Sequence, residues 1–163
     1  MSFELGNIGE TLWVKHLAYT HSNLVTAPPT KFYDWDVKGV YQGRDVTYEV
    51  KYDAKGYYYA DRHKRPVNLY IEYRNTNQNE PSGILASKAD YYVYILRSLD
   101  KQETAYVFNR LELLKHLQET NYPSKTNRTG GDNNAIGWLP PLESLKPLLR
   151  KKIVLNDNNH QRG

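Results

Sequence analysis

The stretch YDWDVKGVYQGRDVTYEVKYD, residues 33 to 53, alternates apolar and polar side chains on either side of a glycine-bearing centre. That is the pattern of two antiparallel strands joined by a tight turn. In the first strand, about residues 33 to 41, Tyr33, Trp35, Val37 and Tyr41 share one face and Asp34, Asp36 and Lys38 the other. In the second, about 45 to 53, Val46, Tyr48, Val50 and Tyr52 form the apolar face, leaving Thr47, Glu49, Lys51 and Asp53 opposite. Two turns are compatible with this. A Gln42-Gly43 loop pairs Trp35 with Val50, Val37 with Tyr48 and Asp36 with Glu49, and turns every apolar residue to the core. A type II′ loop at Gly43-Arg44 instead sets Asp36 against Lys51, with Glu49 diagonal to it. A slip by one residue would turn the acids inward, which burial of the aromatic face forbids.

In either register two carboxylates and a lysine share the polar face. Directly opposed Cβ atoms lie about 4.5–5.5 Å apart, and like charges so placed are destabilising. A divalent cation between them relieves that cost. Donors that are all oxygen, without thiolate or a histidine pair, favour Mg²⁺, with Mn²⁺ able to substitute. Lys51 stands on the face of Glu49, where an ammonium can orient or help deprotonate an attacking water.

Working outward, residues 6 to 21 read as a helix whose apolar arc gathers Leu5, Ile8, Leu12, Trp13 and Leu17, with Glu10 just beyond its edge. NLYIEYR (68 to 74) reads as a third strand. In it Glu72 shares the alternation class of Tyr70, so it either approaches the acids or pairs with Arg74 or a lysine on a neighbouring strand. The polar NTNQNEPSG is a loop, YYVYILRS (91 to 98) an inner strand and ETAYVFN (103 to 109) its hairpin partner. RLELLKHLQET (110 to 120) has helical periodicity, with Leu111, Leu114 and Leu117 or Leu113 facing inward. A loop from 123 to 133, GWLPP, a short helix at about 142 to 149 and a disordered tail from 156 complete the chain. The expectation is one α/β domain over residues 1 to 155, a mixed sheet of about five strands flanked by helices.

The chain has 163 residues and no cysteine, which excludes disulfides, thiol nucleophiles and cysteine-ligated zinc. No apolar run approaches the roughly 20 residues that span a bilayer, and MSFELGNIGE lacks the zones of a secretory signal. A soluble protein of the reducing cytoplasm, with no membrane partner, is expected. The formal charge is +4, and the basic residues bunch in DRHKRP, SKTNR and LLRKK. Three consecutive tyrosines, Tyr57 to Tyr59, precede the first of these clusters. Cations beside aromatic rings suit a nucleic acid. The candidate DNA contacts are Lys55, Tyr57, Arg62, His63, Lys64 and Arg65, with Lys125 and Arg128 from the later loop.

The Asp36 strand followed by Glu49-Val50-Lys51 resembles the PD-(D/E)XK nuclease superfamily, and the succession helix, hairpin, strand is similar too. Trp35 stands where the motif's name has proline, and PSGILASKADYYVYI and TGGDNNAIGWLPPLESL resemble segments of small phage-type members. The resemblance implies a restriction-endonuclease-like core of αβββαβ order and a Mg²⁺-dependent DNA endonuclease, associated with the nucleoid or viral DNA. Asp36, Glu49 and the Val50 backbone carbonyl become metal ligands, Lys51 the water-orienting group, and Glu10 an outer ligand acting through water. A homodimer or higher homo-oligomer is expected, since cutting two strands is simplest with two copies. Branched-DNA resolvase and sequence-specific homing or restriction enzyme both remain open, as does a non-catalytic DNA-binding module of the same fold. A glycosidase using the two acids fits the adjacent lysine and basic clusters poorly.

Overall fold

A computed structural model describes residues 2–28, 34–77, 79–127 and 134–155. In chain order the elements are α1 (Ser2–Leu17), β1 (Ser22–Thr26), β2 (Val37–Tyr41), β3 (Arg44–Asp53), α2 (Gly56–Arg62), β4 (Ile71–Asn75), β5 (Glu80–Pro81) and α3 (Gly83–Ala86). Then come β6 (Tyr91–Arg97), β7 (Glu103–Asn109), α4 (Arg110–Glu119), β8 (Ser124–Asn127), β9 (Ala135–Trp138), α5 (Leu142–Leu145), a 3₁₀ turn Lys146–Leu148 and β10 (Leu149–Val154). The side chain of Leu5, together with Tyr33, Arg128, Gly130, Gly131 and the tail from residue 156, lies outside the described residues.

From Val37 onward the hairpin takes the first of its two possible registers, but the first strand starts at Val37, so the expected Trp35–Val50 and Asp36–Glu49 strand pairs are not formed. Val37 faces Tyr48, Gly39 faces Val46 and Tyr41 faces Arg44. Gln42 and Gly43 both have positive φ, 51° and 78°, as a type I′ turn requires, and its twist matches that of the flanking strands. Val37 and Tyr48 are buried, whereas Tyr41 at the hairpin tip is exposed. The apolar side of the hairpin therefore does not reach the core along its whole length.

Six strands form the main sheet in the order β1-β2-β3-β6-β7-β10. β3 and β6 are parallel neighbours, so the chain between them must cross over one face of the sheet. That crossover carries α2, β4, β5 and α3, and β4 joins a second sheet of order β5-β4-β9-β8. Two apolar layers result. On one face Trp13 and Leu17 of α1 pack with Val37, Tyr48, Tyr52, Val93 and Ile95. On the other, Leu69, Ile71 and Ile84 from the crossover pack with Tyr92, Tyr94, Phe108 and Leu113. β6 and β7, covered on both sides, are buried over their central residues, which is why they read as near-continuous apolar runs.

Several expectations are corrected. The sheet expected to hold about five strands holds six, and the strand expected at 68 to 74 belongs to the second sheet as β4, because β3 pairs with β6 and the segment between them crosses over the sheet's face. The strand β1 escaped notice because it is short and mostly exposed, with no alternation to betray it. The tyrosine run is helical: the Asp53 carboxylate accepts the N–H groups of Lys55 and Gly56, both at 2.9 Å, and starts α2. Part of the polar loop pairs as β5, and Ser124–Asn127 of the later loop pairs with β9. The expected helix at 142 to 149 is only α5 and one 3₁₀ turn containing Pro147, after which β10 pairs with β7. In α1, Ile8 is exposed rather than part of the buried arc.

Helix α4 starts on Asn109, whose side chain accepts the Glu112 N–H at 3.0 Å. Its inward face carries Leu113 and Leu117, with Leu114 at the margin, while Leu111 is 65% exposed. Leu113→Ala is expected to cost about 2–5 kcal/mol and Leu111→Ala less than about 0.5 kcal/mol, measured by urea denaturation. Equal costs would place the wrong face of α4 against the core.

Candidate active site

The site begins where the β2–β3 ladder ends. Val37 opposite Tyr48 is the last strand pair. Asp36 lies one residue beyond it, where its N–H donates to the Tyr48 carbonyl at 2.9 Å. Its carboxylate accepts the N–H of Val50 at 2.8 Å. In an extended strand the N–H and C=O of a residue point to the same edge, so the Val50 carbonyl lies on the Asp36 edge as well. β3 continues to Asp53, so its edge residues past Tyr48 have no β2 partner.

Each further acid is brought to Asp36 by a different constraint. A Cβ added to Gly9 would come within 2.9 Å of the Tyr52 Cβ and 3.4 Å of Val50 Cγ1. Glycine at that position lets α1 lie close against β3, with Glu10 next along the helix. Alternation on β3 sends Glu49 to the opposite face from Tyr48 and Val50, against its register partner Tyr92 on β6. The crossover delivers Glu72 on β4. Its backbone is pressed by Gly83, which has φ 53° and no room for a Cβ against the Glu72 carbonyl.

The acids form a row around the strand edge, Glu10, Asp36, Glu49 and Glu72, and their charges act on one another. Burial, then the Asp36 charge, pushes the Glu10 carboxyl up to about 7. Burial raises Asp36 despite its hydrogen bond from Val50. Glu49 is raised well above the carboxylate range, first by burial and then by Asp36, with Glu72 adding to it and Ser87 and Arg110 opposing. None of the four is in an ion pair with a Lys or Arg among the described residues. Among the described residues no group of three or more His, Cys, Asp or Glu is placed to hold a metal ion.

Lys51 follows Glu49 on the same face, its ammonium 5.9 Å from the centre of the Tyr70 ring, within reach of a cation–π attraction. Tyr70 is held by Gly137, at which a Cβ would sit 2.7 Å from the ring, and by its hydroxyl donating to the Ala135 carbonyl at 3.1 Å. Three neighbours of Glu49 were not anticipated: Tyr92, Ser87 and Arg110. Arg110 is buried at the first position of α4, its Nε donating to the Ala89 carbonyl at 2.6 Å and Nη1 to that of Ile84 at 3.4 Å. Burial lowers its proton affinity, while Glu49 and Asp90 raise it. A cation at the start of a helix opposes the helix dipole, the one hint of it in the sequence.

Other candidates lie elsewhere. Asp53 starts α2 and accepts the Tyr94 hydroxyl at 2.7 Å. Asp34 is exposed and its backbone carbonyl binds the Lys88 N–H and the Ser87 hydroxyl. Lys55, Arg62, His63, Lys64 and Arg65 are exposed, as is Lys125 on β8. Tyr57 is half-buried, packed against the core cluster. Among the described residues no helix is long and apolar enough to cross a membrane. Comparison with family models, curated proteins and solved structures found no match to this chain.

The raised carboxyls set a pH dependence. In the fold Glu10 keeps its proton up to about 7, against an ordinary value of 4.5, and Asp36 and Glu49 shift the same way. Through that window the folded state binds more protons than the unfolded one, so stability falls as pH rises. The melting temperature followed by circular dichroism is expected to drop from about pH 5 to about pH 8, and the drop to shrink in Glu10→Gln/Glu49→Gln. A wild-type melting temperature that rises across this range would contradict the electrostatics described.

Proposed function

We propose that the chain is a Mg²⁺-dependent endonuclease that hydrolyses DNA phosphodiester bonds at the Glu10, Asp36, Glu49 and Lys51 row. The observation that carries this reading is the convergence of Asp36 and Glu49 at the unpaired edge of β3, each half-buried with its proton affinity raised and neither ion-paired among the described residues. Lys51 lies on the face of Glu49. The mixed six-stranded sheet with α1 on one face and the crossover on the other is an α/β setting in which such a row can be held.

The donor set fits a hard dication. Mg²⁺ is usually bound by one or two carboxylates, waters and substrate phosphate rather than by an all-protein cage, so two protein carboxylates suffice for this reading. Asp36 and Glu49 would hold it, with the Val50 carbonyl, and with Glu10 through water. Bound there, it supplies a lowered water pKa and neutralises charge on the phosphate. Lys51 orients the attacking water oxygen, which adds to phosphorus in line with the departing strand oxygen. Glu10, at the other end of the row, stands where a carboxylate can take the water's proton. Arg110 and Ser87 keep Glu49 in place and favour its ionised form. Cleavage of both strands takes two copies of the chain, one site on each strand.

Supercoiled plasmid and labelled duplex, incubated with Mg²⁺, Mn²⁺ or EDTA, test the reading. Cleavage is expected with either metal and not with EDTA, and Asp36→Asn, Glu49→Gln and Lys51→Ala should each lose about 10²-fold or more. Mg²⁺ should also raise the wild-type melting temperature near pH 8, by mass action on the folded state, and leave that of Asp36→Asn unchanged. Variants that cut as well as wild type would refute the site. DNA binding without cleavage of any substrate would identify a non-catalytic module.

A further inference from the structure

We infer that the outward face of α2 is a stacking platform for an unpaired DNA strand, and that the substrate class is DNA with a single-stranded segment: a flap, a gap or a branch. The substrate class rests on the nuclease reading, whereas the platform stands on its own geometry. Tyrosines that only cover a core turn inward, as Tyr57 does. Tyr58 and Tyr59 turn outward, 50% and 42% exposed. Their rings meet edge to face at 5.5 Å, which leaves ring surface open to a base.

Charge surrounds them. Arg62 Nη1 donates to the Tyr58 hydroxyl at 3.4 Å, and the whole segment from Asp61 to Pro66 is exposed. Lys64 takes a φ of 52°, a left-handed conformation that glycine adopts at less cost, and so puts a cation at the corner where the chain leaves α2. A shallow cleft of about 550 Å³ runs between Tyr57, Lys64, Arg65 and Leu99. Aromatic faces beside cations bind single strands without regard to sequence, because every base has a π-face.

The platform is fixed to the active strand. Asp53, the last residue of β3, holds the start of α2 and the Tyr94 hydroxyl together. Glu49 lies four residues back along the same strand, about 13 Å at the usual rise. An unpaired strand stacked on Tyr58 and Tyr59 can thus run to the acidic row over a few nucleotides.

Fluorescence anisotropy with labelled oligo-dT of about 12 nucleotides, in EDTA so that no cleavage intervenes, tests this. The wild type is expected to bind, Tyr58→Ala/Tyr59→Ala to bind about 10-fold or more weakly, and Tyr58→Phe/Tyr59→Phe to bind as wild type, since the rings remain. Thermal melts check that the variants fold. With Mg²⁺, a flapped duplex should be cut faster than its plain counterpart, and the alanine pair should remove that preference. Equal binding by wild type and the alanine pair, or no wild-type binding to oligo-dT at low salt, overturns the platform and leaves the nuclease reading standing. Firm oligo-dT binding that needs the two rings, with no DNA ever cut, supports the platform and overturns the nuclease reading.

Discussion

The hydrogen bond from the Val50 N–H to the Asp36 carboxylate, 2.8 Å long, occupies the place where a backbone carbonyl would continue the β2–β3 ladder. A buried strand N–H must be satisfied, and here a side chain satisfies it. That substitution lets β2 leave β3 after Tyr48 while β3 runs on to Asp53, and it fixes one carboxylate against the half of a central strand that β2 leaves unpaired. The edge it frees is where the Val50 carbonyl, Asp36 and Glu49 meet. The rest of the site is assembled around that edge.

Parallel pairing of β3 with β6 supplies the second constraint. Antiparallel neighbours could have been joined by a short turn, but this pair requires a long crossover, and the crossover lays β4 and α3 on the Glu49 side. Glu72, Tyr70 and Ser87 arrive by that route. Helix α1, on the opposite face, contributes Glu10 through the close approach allowed at Gly9. The carboxyls then repel one another in a half-buried setting, and the fold bears that cost as pH rises toward neutrality. Local cost concentrated at one point of an otherwise well-packed molecule is what a functional site looks like in physical terms.

The face of Glu49 and Lys51 was legible because strand alternation has a period of two and the apolar partners Tyr48, Val50 and Tyr52 leave it no freedom. The register was narrowed to two, and the I′ turn at Gln42-Gly43 decided it. Glu10 was legible only as a residue at the edge of the α1 arc, since the close approach at Gly9 that brings it to β3 leaves no mark in the helical pattern. Arg110 and Ser87 were not, since nothing in their spacing relates them to Glu49 and only the crossover brings them there. The second sheet stayed hidden because β5, β8 and β9 are short, β5 and β8 are exposed as well, and pairing between distant segments leaves no local signal. In α4, four leucines offered two competing faces, and packing against the second core layer selected Leu113 and Leu117.

Glu10, Asp36 and Glu49 share one electrostatic site, which the proposed dication would relieve. Carboxyl carbon-13 resonances followed against pH, with and without Mg²⁺, read this residue by residue. The account predicts that Glu10 titrates near 7 and that Asp36 and Glu49 titrate above their ordinary values, and that Mg²⁺ moves all three midpoints to lower pH. Three ordinary carboxylate titrations that do not respond to Mg²⁺ would contradict it.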